Sequence, residues 1–250
     1  MKQDKIYIYG KHALTEALVN NPRSVDRIFT ASALDGELAR LAKNANIRVD
    51  KMSGNGMPDG IEKNATHQGI IGRVSLRSLV RPYKEFIETL TITPDTAVVV
   101  LGELQDPHNV GAVIRSAAAF GVTAVLIPEH NQAPVTGAVV KVSAGMAFRV
   151  PLVQIGNVNA TLEDLKKRGF WIYGLEGEAK QSLVEEEFEK PTALVLGNEG
   201  NGIRMKTLEL CDIPLSIPMS PDCESLNVAA SAAVALYAWS VRHPGALKKR

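Results

Sequence analysis

Three segments of the chain, 102–109, 197–202 and 218–227, place polar side chains directly after an apolar run. The first segment ends at Asn109, and Arg115 follows six residues later in an alanine-rich, otherwise apolar stretch. On a helix these two side chains would lie about 120° apart, so their spacing alone does not predict a joint site. A lone arginine there is also typical of a surface residue whose methylenes lie along apolar neighbours.

The second and third segments have the composition of ligand-binding loops. Residues 197–202 include three glycines, so the backbone can approach a ligand closely and offer N–H and C=O groups to an adenine or a ribose. Glu199 is the only charged residue of this loop, and a plain flexible turn is the alternative interpretation. The third segment leads to Ser225, an N-cap candidate for the last helix, and to Asn227 in its first turn, where backbone N–H groups are unpaired.

Several common kinds of catalytic site are missing from the sequence. It contains no G-x-x-x-x-G-K-[ST] phosphate loop, no G-x-G-x-x-G dinucleotide fingerprint, no G-x-S-x-G nucleophile elbow and no H-E-x-x-H zinc motif. The five histidines are scattered, which predicts no structural or catalytic metal. Two cysteines, Cys211 and Cys223, cannot form a disulfide framework.

Strands and helices alternate from about residue 95 onward. Ala97–Leu101 is a continuous apolar run of the kind found in strands buried on both faces. Asp106 and Pro107 predict the N-cap and the first residue of a helix that Gly121 ends. This alternation predicts a mostly parallel sheet, and ligands on such sheets bind outside the carboxyl ends of the strands, where all three polar segments lie. The pattern predicts further strands over 122–127, 149–154, 170–174, 192–196 and 213–217, and helices over 134–145, 161–168, 203–210 and 225–241.

The first 78 residues are predicted to form a separate small α/β unit, and residues 79–94 a linker or connecting helix. The unit holds 12 Lys and Arg against 8 Asp and Glu, whereas the whole chain has a net charge of only +1. A basic front unit permits contact with a polyanion, although a solvated surface explains the same excess. The pattern predicts strands over 6–9, 25–30, 47–50 and 68–74, helices over 11–19 and 35–44, and a loop over 54–60.

The composition is that of an ordinary globular protein, with 45% hydrophobic and 22% charged residues among 250. No apolar run approaches the roughly 20 residues that a membrane helix needs. No apolar stretch near the N-terminus precedes a small-residue cleavage site, so no secretory signal is expected. These features predict a soluble, cytoplasmic protein.

Together the three polar segments resemble the three motifs of the SpoU/TrmH branch of the SPOUT RNA methyltransferases. The first motif is DPHNVGAVIRSA at 106–117, the second is LVLGNEGNG at 194–202, and the third joins IPM at 217–219 to SLNVA at 225–229. Order, spacing and strand context agree. Two segments of the front unit, IYGKHA at 8–13 and HQGII at 67–71, resemble the substrate-binding domain of the ribosomal branch of this family.

The resemblance implies a fold and a site that spacing could not predict. Residues 1–78 would bind RNA, and residues 95–250 would form a parallel-sheet SPOUT domain whose C-terminal segment threads through a deep trefoil knot. The cofactor would be S-adenosyl-L-methionine, and the enzyme would be a homodimer with its site near the interface. The implied cofactor-binding residues are Leu196, Gly197, Gly200, Ile217, Met219, Ser225 and Leu226. The implied catalytic residues are Asn109, Arg115, Glu199, Ser225 and Asn227.

The implied reaction transfers a methyl group to a ribose 2′-hydroxyl in RNA, in a guanosine of 23S ribosomal RNA. We expect Arg115 to bind a phosphate and to stabilise the developing alkoxide, because a guanidinium keeps its proton. On pKa grounds Glu199 is the better proton acceptor, and orientation of Asn109 or Arg115 is its alternative role. The candidate phosphate contacts of the front unit are Lys11, Arg23, Arg27, Arg73 and Arg77.

Other functions remain open on the sequence. A tRNA ribose methyltransferase or a resistance-type ribosomal methyltransferase would share the architecture. A non-catalytic RNA-binding assembly factor is a second class, against which the intact polar set argues. A nucleotide-dependent oxidoreductase is a third, against which the missing dinucleotide fingerprint argues. Asp222 and Glu224 in the third segment are unexpected charges beside an RNA site.

Overall fold

The strands of the computed structural model form a four-stranded and an eight-stranded sheet within the residues that it describes, 4–52 and 67–247. The loop predicted over residues 54–60 lies outside these described residues. None of the helices described is long and apolar enough to cross a membrane.

The smaller sheet is formed by the front part of the chain. Its elements are β1 (Lys5–Tyr9), α1 (Lys11–Asn20), β2 (Val25–Thr30), α2 (Gly36–Asn44), β3 (Arg48–Lys51), β4 (Ile70–Ser75) and the short α3 (Leu76–Leu79). The strand order is β1-β4-β2-β3, with β2 and β3 parallel and the other pairs antiparallel. One face packs against the two longer helices through Ile8, Leu14 and Leu38, all of which are buried.

The larger sheet contains the back part of the chain. Its elements are β5 (Val80–Pro82), α4 (Tyr83–Thr89), β6 (Ala97–Leu101), α5 (Pro107–Ala119), β7 (Ala124–Pro128), α6 (Gly137–Val142), β8 (Leu152–Ile155), α7 (Val158–Lys167), β9 (Trp171–Leu175), β10 (Gln181–Ser182), β11 (Thr192–Leu196), α8 (Met205–Leu208), β12 (Ile213–Ser216) and α9 (Val228–Arg242). The strand order is β10-β12-β9-β11-β6-β7-β8-β5, and every pair is parallel. The predicted parallel α/β sheet is confirmed.

Helices cover both faces of this sheet, which explains the continuous apolar strands. All five residues of β6 are buried. Val99 and Leu101 belong to the core formed with α5 and α9, whereas Val98 and Val100 belong to the core formed with α4 and α7. Because side chains alternate along a strand, one run of aliphatic residues contributes to both cores.

The helix after β6 begins and ends as its sequence predicts. The Asp106 carboxylate accepts a hydrogen bond from the backbone N–H of His108 (2.8 Å), and Pro107 is the first helical residue. Phe120 is the C-cap, and Gly121 follows with a φ of +73°. These two ends fix where α5 places its polar residues at the edge of the sheet.

Two sequence-based predictions of elements are corrected. Ser225 is not the N-cap of the last helix, because α9 begins at Val228 and the Asn227 side chain accepts from the N–H groups of the second and third helical residues. The predicted helix over 134–145 spans only Gly137–Val142, since Thr136 caps it and positive φ angles follow it at 144 and 145. The predicted linker opens with Val80–Pro82, which pairs with β8 as the edge strand of the larger sheet. The division into 1–78, 79–94 and 95–250 stays a prediction.

The backbone is packed very closely where β6 and β11 end, at the carboxyl edge of the larger sheet. A Cβ atom at Gly102 would lie 2.1 Å from the carbonyl oxygen of Leu196, and one at Gly197 would lie 2.4 Å from the backbone of Gly202. Glycine is therefore required at both positions, because any side chain would displace backbone. The trefoil knot that the resemblance implies stays a prediction.

The two sheets are joined by direct contacts. The Arg149 guanidinium donates two hydrogen bonds to the Glu16 carboxylate, at 2.6 and 2.9 Å, from the larger part of the chain to α1. A Cβ at Gly137 would lie 2.0 Å from the carbonyl oxygen of Tyr7, so α6 lies directly against β1. The front sheet is thus held next to the helix that follows β7.

We predict that Gly102→Ala lowers the free energy of unfolding by about 1–3 kcal/mol, because the added methyl group must push β6 and β11 apart. Chemical denaturation of both proteins would measure the change. Gly36→Ala is the matched control, since a Cβ there meets nothing within 4 Å. Equal stabilities of the two variants would contradict the close backbone packing.

Candidate active site

A cavity of about 420 Å³ lies at the carboxyl ends of β9, β11 and β12, next to the N-terminus of α9. We call it the first cavity. It is lined by Leu175, Glu176, Gly177, Leu196, Gly197, Asn198, Glu199, Gly200, Gly202, Leu215, Ile217, Met219, Glu224, Ser225, Leu226, Asn227, Val228 and Ser231. The predicted cofactor-binding residues, Leu196, Gly197, Gly200, Ile217, Met219, Ser225 and Leu226, all belong to this lining, although their role stays a prediction.

A chain of hydrogen bonds connects the three polar segments at this edge. Asn109 is buried, and its Nδ2 donates to Glu199 Oε1 (3.1 Å). Asn227 Nδ2 donates to Asn109 Oδ1 (3.0 Å). The Asn227 Oδ1 accepts in turn from the backbone N–H of Ala229 at 2.9 Å. Three of the five predicted catalytic residues are therefore in direct contact, although they are up to 118 positions apart in sequence.

The Glu199 carboxylate accepts further hydrogen bonds from the loop that follows β6. The backbone N–H groups of Gln105 and Asp106 donate to it at 3.1 and 3.2 Å. Partial burial raises the pKa of Glu199, but the hydrogen bonds from Asn109 and from backbone N–H groups outweigh it and hold this pKa below its usual value. A carboxylate stabilised in this way is a poor proton acceptor, so the geometry favours orientation of Asn109 as the role of Glu199.

Arg115 is separated from this group of contacts. It lies on the exposed side of α5, does not line the first cavity, and has no ion pair or hydrogen bond among the described residues. Its guanidinium is therefore free to bind a ligand from outside. Ser225 lines the cavity, but as an exposed loop residue rather than as a helix cap.

Sequence reasoning missed one wall of the first cavity. Leu175, Glu176 and Gly177 follow β9, whose carboxyl end adjoins that of β11. The signal was present, because the predicted strand over 170–174 also ends at this edge of a parallel sheet. Only strand order, which the sequence does not state, shows that β9 and β11 are neighbours.

The first cavity suits a positively charged ligand. Its lining includes the carboxylates Glu176, Glu199 and Glu224, and none of its described residues is Lys, Arg or His. Aliphatic side chains from three strand ends offer a surface for a flat ring, and the glycines leave backbone groups accessible. The acidic Glu224, unexpected beside RNA, faces this cavity.

The five predicted RNA contacts lie in the front part of the chain. Arg23 has no ion pair among the described residues. The other four pair with carboxylates at 2.9–3.7 Å: Lys11 with Asp35, Arg27 with Asp50, Arg73 with Asp26, and Arg77 with Asp4. Their contact with RNA stays a prediction.

The absence of a metal also stays a prediction. Residues 4–52 and 67–247 contain no cluster of three side chains that could hold a metal ion.

The sequence matches two family models, one for each sheet. The SpoU rRNA Methylase family model matches residues 96–237. The model for RNA 2′-O ribose methyltransferase substrate binding matches residues 7–79. The chain belongs to the SpoU rRNA methylase family.

Relatives within the SpoU family cover nearly the whole chain. The 23S rRNA (guanosine-2′-O-)-methyltransferase of Xanthomonas campestris is 37% identical over 243 residues, which are 95% of this chain and 96% of that protein. The enzyme of the same name from Neisseria meningitidis is 36% identical and covers 92% of each chain.

Solved SpoU structures share the fold. The methyltransferase AviRb of Streptomyces viridochromogenes, in complex with the cofactor AdoMet, aligns with a TM-score of 0.81 at 21% identity, over 97% of this chain and 92% of that chain. An RNA methyltransferase of the TrmH family from Porphyromonas gingivalis aligns with a TM-score of 0.76 at 25% identity, over 96% and 90%.

The residues of the first cavity fit S-adenosyl-L-methionine, the cofactor in the AviRb complex. This cofactor carries a net positive charge, which Glu176 and Glu224 would complement, and an adenine, to which Leu196, Ile217 and Leu226 would offer apolar contacts. When bound, it supplies a methyl group on a positively charged sulfur.

We predict that Glu199→Gln destabilises the protein at neutral pH by about 1 kcal/mol and that the difference shrinks on acidification. A carboxylate whose pKa is lowered by folding stabilises the fold above its unfolded value, near 4.5, and this contribution is lost as the pH falls through the lowered value. Thermal unfolding from pH 3 to 7 would measure it. Glu163→Gln, at an exposed position outside the site, is the control, and a pH-independent difference for Glu199→Gln would contradict the assignment.

Proposed function

We propose that this protein transfers the methyl group of S-adenosyl-L-methionine to the ribose 2′-hydroxyl of a guanosine in 23S ribosomal RNA, in the cytoplasm. The observation that supports this substrate is the sequence identity of 33–37% to enzymes named 23S rRNA (guanosine-2′-O-)-methyltransferase. That similarity extends through the front part of the chain as well as the methylase part. Sequence similarity confined to the residues of the larger sheet would support the methyl donor but not the RNA substrate.

The residues of the site divide into two tasks. Glu199, Asn109 and Asn227 hold the three loops in one arrangement and so keep the cavity in shape. Arg115 binds the phosphate beside the target ribose and stabilises the alkoxide that develops as the 2′-oxygen takes the methyl group from the sulfur and its proton passes to solvent water. Because a guanidinium remains protonated, Arg115 does not itself accept that proton.

The open face of the smaller sheet supports RNA binding. Tyr7, Arg73 and Arg27 are register partners on β1, β4 and β2, so they form a row on one face. The Arg27 guanidinium lies 6.0 Å from the ring centroid of Phe29. Aromatic rings that can stack on bases, alternating with cations that can contact phosphates, are typical of single-stranded RNA surfaces.

The last helix supports a homodimer. Val234, Tyr237 and Val241 form an apolar strip at i, i+3 and i+7 of α9, and they are 41, 60 and 53% exposed. This helix packs on α5, which carries Arg115. A second copy seated on the strip would bury it and bring the two chains together at the helix that packs on α5.

The substrate is tested by methylation of unmodified large-subunit rRNA and unmodified tRNA with labelled S-adenosyl-L-methionine. We expect 2′-O-methylguanosine, identified by mass spectrometry, in the rRNA alone. Label in tRNA alone would overturn the substrate and leave the reaction class. Cofactor binding without label in either RNA would favour the assembly-factor alternative.

We predict that Arg115→Ala lowers kcat by about 10²–10³-fold and leaves the Kd for S-adenosyl-L-methionine within about threefold, because the guanidinium acts on the RNA and not on the cofactor. Steady-state methylation would measure kcat, and calorimetric titration would measure the Kd. Arg115→Lys, which keeps the charge but not the planar donor geometry, should fall between the two proteins. Turnover of Arg115→Ala within a few-fold of the parent would refute the assignment.

We predict that Tyr237→Asp converts a dimer into monomers and removes methylation, because a charge replaces the centre of the apolar strip. Sedimentation velocity would report the oligomeric state. Val184→Asp is the matched control, since Val184 is a 67%-exposed aliphatic residue outside α9. A dimer that survives Tyr237→Asp would place the interface elsewhere.

A further inference from the structure

A second cavity, of about 670 Å³, lies at the same edge of the larger sheet, at the carboxyl ends of β6, β7 and β8. Its lining includes Val195, whereas the first cavity is lined by Leu196. Since successive residues of a strand point to opposite faces, the two cavities lie on opposite sides of the end of β11. No role in the site described above uses the second cavity.

The charge of the second cavity is the reverse of that of the first. His130, Arg204 and Lys206 line it, with Glu103 as the only carboxylate. Glu103 is already neutralised, because its Oε2 accepts from the Arg204 guanidinium at 2.6 Å. His130 and Lys206 have no ion pair among the described residues, so a net positive charge remains for an anionic ligand.

Two asparagines add hydrogen-bonding groups. Asn159 Oδ1 accepts from the Thr207 hydroxyl (2.7 Å), while its Nδ2 has no partner among the residues described. The Asn131 carbonyl oxygen accepts from Gln105 Nε2 (2.6 Å), and its side-chain amide likewise has no described partner. Such amides recognise the edges of bases, and Ile203 and Val158 supply apolar surface for a ring.

The wall between the two cavities is narrow and fixed in place. Asn198, which lines the first cavity, donates from Nδ2 to the carbonyl oxygen of Glu103, which lines the second (2.8 Å). Gln105 Nε2 donates to the same oxygen. Glu103 and Asn131 are both held in the left-handed region, with φ of +65° and +53°. Non-glycine residues are rare there, so the loops that form this wall adopt a strained, specified conformation.

The two cavities flank the carboxyl end of β11, so a strand of RNA that occupies the first cavity can continue over the wall into the second.

From this geometry we infer that the second cavity holds one nucleotide of the RNA substrate, next to the nucleotide whose ribose is methylated. Lys206 and His130 contact its phosphate, and Asn131 and Asn159 contact its base. This inference rests on the proposed function, because it assigns a subsite to the same substrate.

The test is Lys206→Glu against Lys190→Glu, an equal charge change at an exposed lysine on the amino side of β11. With an rRNA fragment that the parent enzyme methylates, Lys206→Glu should raise KM by about tenfold or more. Its kcat at saturating RNA and its Kd for S-adenosyl-L-methionine should match those of Lys190→Glu. A KM equal to that of Lys190→Glu overturns the inference.

A second measurement separates the failure of this inference from failure of the proposed function. Guanosine 5′-monophosphate is titrated into the protein saturated with S-adenosyl-L-methionine, and backbone amide shifts are followed by NMR. Shifts at His130 and Lys206 that Lys206→Glu removes support the subsite, even if the parent enzyme does not methylate rRNA. Shifts confined to the first cavity overturn it.

Discussion

The site depends on one chain of hydrogen bonds that runs from a helix N-terminus to a carboxylate. Backbone N–H groups of α9 donate to Asn227, Asn227 donates to Asn109, and Asn109 donates to Glu199. All of these bonds point the same way, so the partial positive charge of the helix end and the negative charge of the carboxylate stabilise each other through two neutral amides. A group that cannot both donate and accept would break the connection between the loops.

Much of this arrangement could be predicted from sequence, because each predicted part depends on local chemistry. Buried strands such as Ala97–Leu101 are continuous apolar runs, and Asp106-Pro107 marks a helix start. What could not be predicted depends on distant neighbours. Glu176 joins the site only because β9 pairs with β11, and Val80–Pro82 becomes a strand only because β8 offers it an open edge.

The role of Glu199 illustrates the same limit at a single residue. By residue type it is the obvious proton acceptor of its loop. The donors that lower its pKa come from Gln105, Asp106 and Asn109, some 90 residues earlier in the chain. Likewise, Ser225 and Asn227 are equally good helix caps by composition. Asn227 is the cap because Asn109 holds its amide in one orientation, with the oxygen toward the helix.

The hydrogen bond between Asn227 and Asn109 bears on how the enzyme is synthesised. The residues that line the first cavity lie between 175 and 231 in the chain. Asn227, whose amide donates to Asn109, follows Asn109 by 118 residues. At roughly 5–20 residues per second, the ribosome needs about 6–24 s to add the residues between Asn109 and Asn227. Until then Asn109, in the first turn of α5, lacks its hydrogen bond from Asn227. A prematurely terminated chain therefore has no pocket for its methyl donor, and such fragments cannot compete with the complete enzyme for the cofactor.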